Sequence, residues 1–294
     1  MTQDTRPRSL GRTMLNKVPE VVFIFWVIKI LCTTVGESAA DYVNDNLGFG
    51  LVNTTWVAGG LLAILLAVQF RLRRYVPGVY WSAVVVISVF GTLITDNLTD
   101  LHNVSLTVTT PIFAAILAVV FAVWYAFERT LSIHTIITTR REAFYWLAIL
   151  FTFALGTAAG DLVAEKADLG YGVSILIFGG VIALIAVAHF GLKVNAVLTF
   201  WLAYIMTRPL GASIGDFLSQ KDPKYGGLGL GTTATSFIFL GCILVLVVYL
   251  SITHRDQTPP ELIEHDEAIA ARHRAEHAHH HHHSAPLQPA AEES

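Results

Sequence analysis

The stretch FWVIKILCTTVGESAAD, residues 25–41, decides the fold because its frame returns three more times along the chain. Trp26 is followed ten residues later by Gly36, and Asp41 stands five after that. The same Trp-x9-Gly-x4-Asp frame recurs as Trp81, Gly91 and Asp96 in YWSAVVVISVFGTLITD (80–96). It recurs as Trp146, Gly156 and Asp161 in YWLAILFTFALGTAAGD (145–161), and as Trp201, Gly211 and Asp216 in FWLAYIMTRPLGASIGD (200–216). An aromatic residue precedes each tryptophan: Phe25, Tyr80, Tyr145 and Phe200. The glycines stand 55, 65 and 55 residues apart, which suggests a hairpin duplicated once and the pair duplicated again, with a period of 120.

Working outward, each frame is followed by a second apolar run that repeats more loosely. Gly50 precedes Thr54 and Thr55, Ser105 precedes Thr109 and Thr110, and Gly229 precedes Thr232 and Thr233. Gly172 opens the third copy, which has no threonine pair. Hydrophobic residues make up 54% of the 294 and charged residues only 14%, well below the roughly one quarter of a soluble domain. The apolar runs reach the roughly 20 residues that a bilayer crossing needs, and in lipid such runs must be helical to satisfy their own amides. The spans predicted are 20–43, 51–70, 77–98, 106–127, 143–165, 170–190, 195–218 and 230–252.

The basic residues sort by side. Only Lys166, Lys221 and Lys224 flank the odd-to-even turns. On the other side lie Arg6, Arg8, Arg12, Lys17, Arg71, Arg73, Arg74, Arg129, Arg140, Arg141, Lys193, Arg255, Arg272 and Arg274. That bias predicts cytoplasmic termini and even-to-odd loops. The expected fold is an all-α integral membrane protein of about eight transmembrane helices, arranged as four hairpin repeats of one orientation around a pseudo-fourfold or nested pseudo-twofold centre. The expected parts are a cytoplasmic segment 1–17, a membrane domain 18–254 and a disordered cytoplasmic His-rich tail 255–294. The repeats fall at 18–74, 75–129, 143–193 and 195–254, with a cytoplasmic linker at 130–142. Cys32 and Cys242 both lie in apolar runs, which argues against a disulfide framework. The polar, basic first 17 residues show no cleavable signal pattern.

Four residues beyond the frame aspartates stand Asp45, Asp100, Glu165 and, breaking the run, Gln220. That spacing puts paired oxygen ligands on one helical face, a set suited to a hard divalent cation. The helix macrodipole disfavours anions at a C-terminus, so a cation would compensate there. The bland alternative is that Asp41, Asp96, Asp161 and Asp216 are hydrated residues at headgroup level. Glu37 lies one turn deeper and has no acidic counterpart; Thr92, Thr157 and Ala212 hold its place. Glycines in the frame read as close-packing positions, and the tryptophans as an interfacial aromatic belt.

Lys29 and Arg208 fall near mid-span, where a charge must be paired or functional. They are expected to form intramembrane ion pairs with Glu37 and the aspartates, or to act as a gate. Pro209 is expected to kink its helix. His102 is a weak metal candidate and His189 a hydrogen-bonded core residue. In the tail, His279, His280, His281, His282 and His283 form a tract that binds borderline metals if it is native rather than an added tag. No soluble-enzyme motif is present, and the glycines at 227–231 are weak as a nucleotide signal.

The stretches at 17–42, 128–146, 200–220 and 226–236 resemble a family of uncharacterised bacterial multi-pass membrane-anchored proteins. The resemblance covers residues 17 to about 252. It implies a protein of the bacterial inner membrane and lends no activity. The expected function is therefore argued from the residues: a transporter of a divalent metal cation, with export as one direction and no resident cofactor. The alternatives are a non-transporting sensor or scaffold with structural charges, or an anion transporter using Lys29 and Arg208. Expected partners are the lipid bilayer and a metal ion or proton, with room for a homo-oligomer and none for nucleic acid.

Overall fold

The structure is a computed structural model that describes residues 16–221, 224–256 and 268. The histidine tract at 279–283 lies outside the described residues, as do the side chains of Asp45 and Asn46. Eight long helices are present among the described residues: α1 Phe23–Asp41, α2 Leu51–Arg71, α3 Pro77–Asp96, α4 Leu106–Glu128, α5 Thr139–Asp161, α6 Tyr171–Phe190, α7 Ala196–Ser219 and α8 Thr232–Thr253. All eight are long and apolar enough to cross a bilayer. The protein is an eight-span membrane protein built from four helical hairpins.

The odd-numbered helices form a closed inner ring: α1 packs on α3 and α7, and α5 packs on the same two. Each even-numbered helix packs chiefly on the odd helix of the next hairpin, α2 on α3, α4 on α5 and α6 on α7, and α8 returns to α1. Composition explains the layering. The frame helices carry the small and hydroxylated residues that allow close approach in lipid. The even helices are apolar on nearly every face and are only 11% to 28% buried, against 50% to 61% for the odd ones. Side chains such as Trp56, Leu176 and Leu244 stand exposed on the outer layer, where lipid replaces water.

Two features show that the ring is a true cycle. A Cβ on Gly36 would collide with Ser88, one on Gly91 with Phe153, one on Gly156 with Arg208, and one on Gly211 with Thr33. Each neighbour is the residue three before the next copy's glycine, and the fourth contact closes on the first. The aromatic rings follow the same rule. Phe25 meets Trp81 at 5.5 Å, Tyr80 meets Trp146 at 5.5 Å, Tyr145 meets Trp201 at 6.2 Å, and Phe200 meets Trp26 at 5.7 Å. Trp81, Trp146 and Trp201 are therefore buried between helices rather than forming a lipid-facing belt.

The outer helices repeat in a register that the glycine-threonine pattern only half reveals. Gly50, Ser105, Gly170 and Gly231 are the N-caps of α2, α4, α6 and α8. Four residues on stand Thr54, Thr109, Ser174 and Thr235, all buried. The correct partners in the third and fourth copies are thus Gly170–Ser174 and Gly231–Thr235. The three glycine caps have φ of 72°, 78° and 83°, a region that a side chain rarely adopts. Helix α5 starts at Thr139, four residues earlier than the predicted span, because Thr138 Oγ1 caps the Arg141 amide at 3.3 Å. Glu128 also holds Arg140 at 2.5 Å and Arg141 at 2.7 Å, so the charged TRRE turn is helix rather than loop.

Candidate functional site

The frame positions that meet at the centre of the ring build a polar axis, level by level. At the basic end, one residue before the tryptophans, Phe25, Tyr80, Tyr145 and Phe200 converge. The Tyr80 and Tyr145 hydroxyls meet at 2.5 Å, and Phe25 and Phe200 rings lie 6.1 Å apart. Lys29 lies one turn further in. It is fully buried, and its Nζ stands 4.1 Å from the Phe153 ring centre and 4.2 Å from that of Tyr204. No hydrogen-bond acceptor reaches this Nζ among the described residues. The expected pairing of Lys29 with a carboxylate is therefore corrected: two aromatic faces surround it instead.

Arg208 behaves as expected and more fully. Its Nη2 donates to Glu37 Oε2 at 3.0 Å, to Thr157 Oγ1 at 2.7 Å, and to Thr92 Oγ1. Nη1 donates to the Thr33 carbonyl at 3.4 Å. Thr92 Oγ1 also donates to Glu37 Oε2 at 3.3 Å. Glu37, Thr92 and Thr157 occupy the same frame position, immediately after the glycine, in the first three copies. The fourth copy has Ala212 there, and supplies the guanidinium from one turn below. One residue from each copy thus meets at one point on the axis. Arg208 reaches it because Gly156 leaves space: a Cβ there would strike the Arg208 and Pro209 side chains. Helix α7 runs unbroken through Pro209, and Thr207 Oγ1 donates to the Tyr204 carbonyl at 2.7 Å.

One turn towards the acidic end stand Asp41, Asp96, Asp161 and Asp216. Each stands five residues after its ring glycine, and four after the position that Glu37, Thr92 and Thr157 occupy. The frame therefore sets the four carboxylates at one level of the ring, towards its acidic end. Beyond Asp41, Asp96 and Asp161 the chain widens into a single π turn, at Tyr42–Asn46, Asn97–Leu101 and Leu162–Lys166. The i to i+5 bonds are direct: Leu47 N to Tyr42 O at 3.1 Å, His102 N to Asn97 O at 3.1 Å, and Ala167 N to Leu162 O at 2.9 Å. Such turns concentrate at functional sites. The fourth copy lacks one: Gln220 N bonds Asp216 O at 2.8 Å, and the chain leaves the helix. Gln220, which breaks the acidic run, donates to Asp41 Oδ2 at 3.1 Å across the first and fourth copies.

The secondary acids spread outward. Asp100 is exposed and accepts from Thr99 Oγ1 at 2.9 Å, while Glu165 accepts from the Tyr171 hydroxyl at 3.2 Å. His102 is exposed and its Nδ1 lies 2.6 Å from the Asn97 carbonyl oxygen. His189 pairs with Thr199 Oγ1 at 3.0 Å. Among the described residues, no three His, Cys, Asp or Glu side chains form a ready metal-coordination set.

Two buried groups are not evident from the sequence. Lys17 stands among the flanking cations, yet it is fully buried and pairs with Glu142 at 2.6 Å. Gln69 donates to the same carboxylate at 3.2 Å. The signal was Glu142 itself, an acid in the first turn of a helix whose neighbours are arginines. In the sequence Thr92 and Thr157 stand only where an acid is missing. Their shared frame position with Glu37 was the sign that they face it.

No curated protein and no solved structure matches the chain. The Repeat of Unknown Function (DUF347) matches four times, at residues 24–75, 79–130, 144–194 and 199–256, each match covering one frame helix and the outer helix that follows. These four matches span most of the chain, so the protein belongs to the family built from the DUF347 repeat.

Proposed function

We propose that the protein is a membrane transporter of a cation, with a divalent metal ion as the substrate class its carboxylates suit best. The observation that carries this reading is the carboxylate repeated in all four copies at one level of the ring, one helical turn outside the Arg208–Glu37 contact. Like charges gathered in a partly dehydrated space repel one another, and a cation offsets that cost. In this reading the ion arrives hydrated, attracted by charge before it sheds water. Export or import would follow from the same path. The basic side is assigned to the cytoplasm by the positive-inside rule, in a bacterial inner membrane.

Arg208 and Glu37 act as the gate in this reading. Their contact blocks the axis in the closed form, and a cation bound near Glu37 would compete with the guanidinium for the carboxylate. The tyrosine pair and the Phe25–Phe200 contact close the other end. A sensor or scaffold is the second reading, supported by how completely Arg208 is held. The anion reading has less support, because Arg208 is engaged by Glu37 and Lys29 is walled in by aromatic rings.

Metal content of cells with and without the gene tests the proposal. A difference that disappears in Asp41→Asn and Asp161→Asn variants, at equal membrane protein levels, supports transport. Equal metal content in all strains rejects it.

A further inference from the structure

A groove of about 780 Å³ opens between α4 and α7 on the basic side of the bundle. Its volume lies within the roughly 300–1,000 Å³ range typical of small-molecule sites. Phe121 and Trp201, whose rings meet at 4.9 Å, line it, and so does Ile205 further along α7. Arg129 and Asn195 line it as well. They are the C-cap of α4 and the N-cap of α7, so both mark the level at which these helices leave the apolar layer. From Asn195 to Ile205 the groove follows α7 for ten residues, roughly 15 Å at the α-helical rise. That is about half of the roughly 30 Å hydrocarbon core, one leaflet deep.

The repeat explains why an opening exists here. Asn195 stands six residues before Trp201, as Tyr75 stands six before Trp81. At the related place between α8 and α3 the chain supplies its own filling. Tyr75 is buried, and its hydroxyl donates to Asp256 at 2.5 Å. Arg129 and His254 end the two outer helices in the same left-handed conformation, at φ 57° and 51°. After His254 the chain turns back as far as Asp256. After Arg129 it runs on into α5, and the small Asn195 replaces the Tyr75 ring.

We propose that this groove binds one anionic phospholipid of the basic-side leaflet, acyl chain along Phe121 and Ile205 and headgroup at Arg129. The match is one of shape and charge together: an apolar slot one leaflet deep, with a guanidinium at headgroup level. Cationic pockets between transmembrane helices on the cytoplasmic side are suited to anionic headgroups.

The full chain, purified in a neutral detergent, can be titrated with phosphatidylglycerol and with phosphatidylcholine of identical acyl chains, and bound lipid counted by native mass spectrometry. The wild type is expected to prefer phosphatidylglycerol by roughly fivefold, the share of one surface cation, and Arg129→Gln to lose that preference. Ile205→Trp fills the groove and lowers occupancy by both lipids. Leu198→Trp does the same from the exposed wall should either of the others fail to fold. Millimolar inorganic phosphate leaves the lipid in place. Equal binding of the two lipids by the wild type, a preference that survives Arg129→Gln, or displacement by phosphate overturns the proposal.

Discussion

Arg208 Nη2 and Glu37 Oε2 meet at 3.0 Å on the axis of the bundle, although the two residues come from the fourth and first copies of one repeat. Both side chains are buried, so neither charge is compensated by solvent. Removing one partner of a buried ion pair costs about 3–5 kcal/mol, because the other charge is left alone. Glu37→Gln and Arg208→Gln should each lower the thermal midpoint of the detergent-solubilised protein sharply. The double variant should recover part of the loss. Single variants that melt like the wild type would show that the pair does not hold α1 to α7.

Lys29 should behave in the opposite way. Its Nζ has aromatic faces but no hydrogen-bond acceptor among the described residues. Two desolvated cation–π contacts, at about 2 kcal/mol each, roughly offset the several kcal/mol that a buried ion loses and leave no net gain. Lys29→Met is expected to fold as well as the wild type or better. A midpoint that falls as far as that of Arg208→Gln would mean the amine is held more strongly than its surroundings indicate.

The ring glycines are positions of contact. Gly36→Ala and Gly211→Ala should each destabilise by about 1–3 kcal/mol, the usual cost of overpacking, because the new methyl meets Ser88 or Thr33. Gly60→Ala is the control, since nothing lies within 4 Å of its added Cβ. Thermal melts of the three variants, side by side, check the ordering.

The root of the tail carries a pH dependence. Burial raises the Asp256 carboxyl above its ordinary value of 3.8, against the Tyr75 hydrogen bond and the His254 charge, which pull it down. An acid raised in the folded state holds its proton better folded than unfolded. Its contribution is therefore complete below about pH 3.8 and is lost as pH rises through the folded value. The Glu20 amide, which donates to the Asp256 carbonyl at 2.7 Å, reports on this contact. Its hydrogen-exchange protection, corrected for intrinsic rate, should weaken as pH rises, and Asp256→Asn should flatten the dependence. An unchanged pH profile in that variant would assign the effect elsewhere.

Much of the architecture was legible because the frame is a packing rule written in sequence. The glycine of each copy meets the next copy and the tryptophan meets the aromatic residue of the preceding one, so both recur at fixed spacing. The eight spans followed from apolar runs long enough to cross lipid. Handing each outer helix to the next hairpin was not legible, because Val, Leu and Ile on α2 or α6 look alike towards lipid and towards protein. The axial site was half legible. Glu37, Arg208 and the four aspartates stood out as charges in apolar runs, but Thr92 and Thr157 are ordinary residues in a helix and gain meaning only from their position. A mid-span charge requires compensation, so the sequence predicts a carboxylate partner for Lys29. Sequence spacing along α1 could not show that Phe153 of α5 and Tyr204 of α7 stand there instead.

Cation flux through the purified protein tests the central claim most directly. In sealed liposomes carrying a metal-sensitive dye, the wild type should pass manganese(II) faster than empty vesicles. Asp96→Asn with Asp161→Asn should lower that rate tenfold or more, roughly the effect of one lost charge contact of 1.4 kcal/mol. A wild-type rate equal to that of empty liposomes, or a double variant as fast as the wild type, would contradict transport past the frame carboxylates.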